Sequence, residues 1–174
     1  LELSSGENLS VFGLGYKFGD FVSNLFHARN EMILKYLLMN DSVKKAGVWG
    51  HLAYADGSGV EKQFESCEVR LYETAAVFLP ATGEPIRVHY SSISHIEAND
   101  YMLVITTDLG NRLTVSRLGK EYDSTSKELS DAINALSVQT QSLIKELVPS
   151  ADPAVVRAVS RFLKDGKAGR RRDI

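Results

Sequence analysis

Along this chain hydrophobic and polar positions switch repeatedly between an alternating rhythm and a helical one. Residues 8–13 read as a strand that ends at Gly13 and Gly15. Asp20 is placed to cap a helix running to about Leu38, with Phe21, Val22, Leu25, Met32, Ile33, Tyr36 and Leu37 as its apolar stripe. Val48–Tyr54 alternates as a strand, and Asp56-Gly57-Ser58-Gly59 is a turn. Cys67, Val69 and Leu71 alternate with Glu68 and Arg70, which predicts one buried face and one solvated face. Ala75–Leu79 forms the next strand and Pro80–Glu84 closes it. Then come Ile86, Val88 and Tyr90, followed by Ile93 and Ile96. Glu97–Asp100 reads as a polar connection before Met102, Val104 and Thr106, and Asp108–Asn111 as a hairpin turn into Leu113 and Val115. Short strands every 8–12 residues predict a small antiparallel sandwich or barrel.

A long helix follows. Thr125 and Glu128 have the spacing of a capping box, and Leu129, Ile133, Leu136, Leu143 and Leu147 fall on one stripe. Pro149 and Pro153 break it. Asp152-Pro153 then starts a second helix, because Asp caps and Pro fills the first turn without losing a hydrogen bond. That helix is expected to bury Val155, Val156, Val159, Phe162 and Leu163 and to stop at Gly166, with Lys167–Ile174 beginning another.

The start of the chain looks like a second copy of its middle. At an offset of 104, Leu9/Leu113, Val11/Val115, Leu14/Leu118, Gly15/Gly119, Leu25/Leu129 and Ala28/Ala132 are identical, and Phe18 faces Tyr122. A repeat spaced by one domain length points to tandem copies of one fold; two unrelated strand-turn-helix units sharing apolar spacing are the alternative. On the tandem reading, 1–40 is the closing strand and helix of a first copy that begins before Leu1, 47–147 is a complete copy, and 152–174 is a basic helical segment.

The run VRLYETAAVFLP…EPIRVHYSSISHIE…YMLVITTDLGNRLTVSRLG, followed by the Thr125–Leu147 helix, resembles the pleckstrin-homology-like (PH-like) superfamily. The matching features are the hairpin, the aromatic residue before Ser91-Ser92-Ile93, the Ile93/Ile96 pair and the hairpin at Gly110. The resemblance covers about 47–147 and implies an α+β fold: a small antiparallel barrel capped by a C-terminal helix. Paired domains of this kind followed by a helix-turn-helix-like end also resemble the archaeal taxis adaptor family of the CheF type. That resemblance implies an adaptor linking a phosphorylated response regulator to the switch complex of the archaellum motor.

Composition changes little of this. At 44% hydrophobic and 24% charged the chain has apolar mass for a core, and no window of it approaches the length of a membrane span. A single cysteine, Cys67, excludes an internal disulfide and suits the cytoplasm. Charge is uneven: from Asp152 onward seven Lys/Arg stand against three Asp, so the tail is basic and the remainder acidic.

Catalytic constellations are not found. His27, His51, His89 and His95 lack ligand spacing, and no metal or cofactor is expected. Gly13-Leu14-Gly15 lacks the third glycine and the GK[ST] of a phosphate loop. The carboxylates are scattered, Glu68 among them, and read as solvated. Ser91, Ser92 and Ser94 have no nucleophile elbow around them. The expected function is a non-enzymatic protein-binding adaptor. Its alternatives are an anionic lipid-headgroup module, or nucleic-acid binding through the basic segment. Arg161, Lys164, Lys167, Arg170, Arg171 and Arg172 are the candidate partner or anion contacts. The loops at 56–59, 80–84 and 108–111 are neutral or acidic, which speaks against lipid. Phe12, Phe21, Leu25 and Phe26 need cover, and a homodimer through 1–40 is one way to supply it.

Overall fold

In the computed structural model, residues 6, 8, 10–37 and 41–162 of the 174 are described. The chain divides into two compact units, Leu1–Asn40 and Asp41–Ile174. The first holds a 3-10 turn, Gly15–Lys17, that runs into helix α1, Phe18–Tyr36. Asp20 is not its cap. The helix starts earlier, from Lys17 without a side-chain cap, and Asp20 sits in the first turn, where its charge meets the positive end of the helix dipole. The strand expected at 8–13 is not formed over residues 10–13; only Asn8 makes an isolated bridge. A strand exists only where a neighbour takes up its hydrogen bonds.

The second unit is one antiparallel sheet of seven strands: β1 (Val43–Ala55), β2 (Glu61–Tyr72), β3 (Ala75–Pro80), β4 (Ile86–His89), β5 (Ile93–Asn99), β6 (Met102–Thr107) and β7 (Arg112–Ser116). Their order is β4-β3-β2-β1-β7-β6-β5. β1 pairs with β2 along its length and with β7 from His51 to Ala55, so it joins the two halves. The halves share one core: Val48, Leu52, Val69 and Phe78 from one meet Leu103, Ile105, Leu113 and Val115 from the other. At Gly50 they approach closely. A Cβ there would stand 2.7 Å from the Ser116 carbonyl oxygen and 2.8 Å from Leu118 Cδ2. β3 is buried at all six positions, as an unbroken apolar run requires. β5 runs on through Glu97, Ala98 and Asn99 instead of ending in a polar connection there. Its turn needs only Asp100 and Tyr101, both at positive φ (49° and 57°), and Tyr101 lays its ring on Tyr122 at 5.4 Å.

A 3-10 turn, Gly119–Glu121, leads into helix α2, Tyr122–Leu147. Lys45 of β1 fixes this entry, donating to Glu121 Oε2 at 3.0 Å and to Ser124 Oγ at 2.9 Å. The Lys45 hydrogen bond holds the Glu121 carboxyl below its ordinary value. Because α2 begins three residues before Thr125, that residue is no cap. It is fully buried inside the helix, and its hydroxyl has no hydrogen-bond partner. Leu129 and Ala132 enter the core, with Tyr122, Ile133 and Leu136 half-buried around them. The stripe then shifts: Ile144 is buried, whereas Leu143 and Leu147 are exposed, contrary to expectation. At 26 residues, about 39 Å, α2 is long enough to pack on α3 as well as on the sheet, so the side buried near its end is not the one that carries Leu129 and Leu136 into the core.

Helix α3, Pro153–Phe162, packs against α2. Asp152 caps it as expected, its Oδ1 accepting the Ala154 N–H at 2.7 Å. Val156 is buried and Val159 half-buried, but Val155 is exposed. The side chain of Phe162, and Leu163 through Ile174, lie outside the described residues. The second unit is thus an α+β arrangement, as expected: seven antiparallel strands closed by an amphipathic helix.

Leu129→Ala, which empties the centre of the helix–sheet contact, is expected to lower unfolding free energy by about 3 kcal/mol in urea titrations. Thr125→Val removes the orphaned hydroxyl at near-constant shape, and should raise it by roughly 1 kcal/mol in the same assay.

Candidate binding surface

The polar face of β2 is not solvated. Glu68 and Arg70 are 4% and 6% exposed, which corrects the alternation argument. Opposite charges two apart on a strand share a face and can neutralise each other, so that face can be buried. Arg70 Nε donates to Glu68 Oε1 at 2.7 Å and Nη2 to Oε2 at 3.3 Å. Glu68 Oε1 also accepts the Gly47 N–H at 3.3 Å, which ties β2 to the irregular start of β1. This carboxylate is a structural group held by its own strand.

The reactive side chains are equally occupied. Burial pushes the Cys67 thiol up to about 12, and its proton points to the Glu68 carbonyl at 3.6 Å. Burial likewise raises the Tyr90 phenol, whose hydroxyl donates to the Tyr72 carbonyl at 2.8 Å. His27 lies beside Glu31 at 3.9 Å and His51 beside Glu65 at 3.7 Å. Among the described residues no group of three His, Cys, Asp or Glu is placed to hold a metal ion.

Two larger concave sites and one sheet edge stand out among the described residues. The first site is an open cleft of about 680 Å³ between the β1–β2 and β3–β4 loops. Lys62 and Arg87 line it, but so do Asp56 and Glu84, and charge balances. Asp56 stays ionised. Its Oδ1 accepts the Ser58 hydroxyl at 2.6 Å and the N–H groups of Ser58 and Val60, which hold its carboxyl below the ordinary value. A polyanion entering there meets the carboxylates of Asp56 and Glu84.

The second site is a crevice of about 380 Å³ walled by Tyr90 and Ser91, by Ile133, Ser137 and Thr140 of α2, and by Ser160 of α3. It offers hydroxyls and aliphatic carbon and no charged side chain. The 3-10 turn Tyr90–Ser92 that forms one wall runs directly into β5. Among the described residues β5 is the last strand of the sheet on that side. Its seven residues, roughly 23 Å of backbone, carry no lysine or proline that would block pairing with another strand. Ser94, His95, Glu97, Ala98 and Asn99 are exposed along it. The opposite edge, β4, has only four residues.

Of the basic residues singled out from the sequence, Arg161 lies on α3 and its side chain is outside the described residues, as are Lys164, Lys167, Arg170, Arg171 and Arg172. The β5 edge and its crevice escaped sequence reasoning, because an edge is a property of strand order. The one local sign was the basic-free stretch Ile93–Asn99.

No family description matches the chain, and no curated protein resembles it in sequence. Among solved structures, the C-terminal domain of an unknown protein from Leishmania infantum matches over 62% of this chain and 96% of its own length, at TM-score 0.47 and 12% identity. The N-terminal PH domain of human ARAP2 matches over 62% of this chain and 84% of its own, at TM-score 0.38 and 14% identity. The FERM and C-terminal domain complex of Drosophila Merlin matches over 59% of this chain and 32% of its own, at TM-score 0.35 and 7% identity.

Removing one member of the buried pair strands the other charge. Glu68→Gln is expected to cost about 3 kcal/mol by urea denaturation, whereas replacing both residues with apolar side chains should recover most of the loss. Cys67 should resist maleimide in the native protein and react as soon as denaturant opens the sheet.

Proposed function

We propose that the unit beginning at Asp41 is a non-enzymatic binding module that takes an extended segment of a protein partner along β5. A strand added there hydrogen-bonds to the free edge, and one of its side chains enters the neighbouring crevice. The observation that carries this reading is the juxtaposition of a seven-residue unblocked edge with an uncharged, half-apolar crevice at its start. Burial and hydrogen bonding keep Cys67 and Tyr90 away from a substrate, which favours a binding role over a catalytic one. The charge-balanced cleft argues against an anionic headgroup as ligand.

The finer form of the proposal is the adaptor role that the taxis-family resemblance implies. A pair of PH-like domains would carry the signal between a phosphorylated response regulator and the archaellum switch in the cytoplasm. No helix among the described residues is long and apolar enough to cross a membrane. The basic segment from Arg161 to Arg172 would make a second contact with the partner.

Calorimetric titration with a phosphorylated response regulator tests the adaptor. Ser137→Trp fills the crevice from an exposed helix position, and it should weaken binding at least about tenfold, or 1.4 kcal/mol, without lowering stability. Absence of heat at high micromolar concentration would remove the response regulator as partner. Sedimentation with anionic vesicles at physiological salt would instead establish the lipid reading.

A further inference from the structure

Residues Gly13–Phe18 and Arg117–Tyr122 follow the same backbone path at the 104-residue offset. Gly13 and Arg117 both have positive φ, 76° and 59°, and so do Gly15 and Gly119, 47° and 56°. Between them Leu14 and Leu118 are right-handed, at φ −73° and −72°. Lys17 (φ −83°, ψ 0°) matches Glu121 (φ −84°, ψ −6°). The Lys17 N–H to Leu14 carbonyl bond, 2.9 Å, matches that from Glu121 to Leu118, 3.1 Å. Each path opens directly into a helix, α1 at Phe18 and α2 at Tyr122. A left–right–left entry is not how helices ordinarily begin. Holding arginine in the left-handed region is strained, and tertiary structure must offset it.

In the second copy the purpose of this entry is visible. It aims Leu118, Leu129 and Ala132 into the core and sets Tyr122 and Leu136 at its rim. The equivalent positions of the first copy are Leu14, Leu25, Ala28, Phe18 and Met32. There Phe18 is 62%, Leu25 37% and Met32 59% exposed, whereas Leu129 is fully buried. Phe12 and Tyr16 beside them are almost fully exposed.

We infer that α1 is the closing helix of another sandwich of the same fold, supplied by sequence N-terminal to residue 1. Leu25 takes in it the place that Leu129 holds here. The inference shares the paired-domain element of the adaptor reading, but it rests on the repeated backbone and the exposed stripe. A second copy of this chain does not serve as the occupant, because its sandwich already holds its own α2. The unformed strand also falls into place: residues 10–12 correspond to 114–116 of β7, whose pairing partners are β1 and β6. The partners for 10–12 would belong to the missing sandwich.

Hydrogen exchange read by mass spectrometry decides this, comparing the full-length polypeptide with the 174-residue chain. In the full-length protein, amides of 18–32 should exchange at least about 100-fold more slowly than in the 174-residue chain. Leu25→Asp should abolish that difference while leaving 122–136 protected. If Leu25→Asp prevents expression, Met32→Ala should give a partial loss in the same segment. Equal exchange of 18–32 in both proteins would overturn the inference. So would a concentration-dependent dimer of the 174-residue chain that Leu25→Asp dissolves, since the stripe would then be a self-association surface. Neither result bears on partner binding at β5, which Ser137→Trp reads separately.

Discussion

A sheet that folds over on itself leaves its apolar interior open at one end, and in this unit α2 must close that opening. Leu129 and Ala132 go into the shared core of both halves, and the helix cannot do this from an arbitrary direction. Three features set the direction. The left-handed Arg117 and Gly119 turn the chain sharply out of β7. Gly50 gives Leu118 room against β1. Lys45 then clamps the first turn through Glu121 and Ser124. Core packing and helix entry are therefore one constraint.

That constraint also decides where recognition can occur. With the interior filled and the acid–base groups of Glu68, Cys67 and Tyr90 satisfied inside, the surface left for a partner consists of backbone edges and shallow clefts. Of these, the β1–β2 cleft neutralises itself through Asp56 and Glu84. The crevice beside β5 differs because α2 outruns the sheet and α3 folds back on it. Ser160 and Thr140 thereby complete a wall that a shorter helix would not supply.

Much of this fold was legible in the residue pattern, for identifiable reasons. Strands with one inward face announced themselves by alternation, and the Asp56–Gly59 and Asp108–Asn111 turns by their glycines. Misreadings arose where two local rules competed. Glu68 and Arg70 carried the signature of a solvated face, but as mutual counter-ions they tolerate burial. Thr125 and Glu128 had capping-box spacing, but the 3-10 turn at Gly119 had already begun the helix. Leu143 and Leu147 share the helical face of Leu136, but the end of α2 packs on α3, and it is Ile144 that is buried. Glu97–Asn99 looked like loop because its polarity suits a strand edge equally well. The candidate surface was the least legible part, since strand order is fixed by pairings distant in sequence.

The open rung of β5 has a cost beyond recognition. Backbone groups open to strand pairing accept any extended chain, a neighbouring molecule or a nascent one included. What restrains this is modest: an irregularity between Ile93 and His95 that breaks the flatness of the strand, and the single negative charge of Glu97. An exposed edge of this kind is a place where copies of the protein can associate, and Glu97 is the charged side chain along it that opposes this.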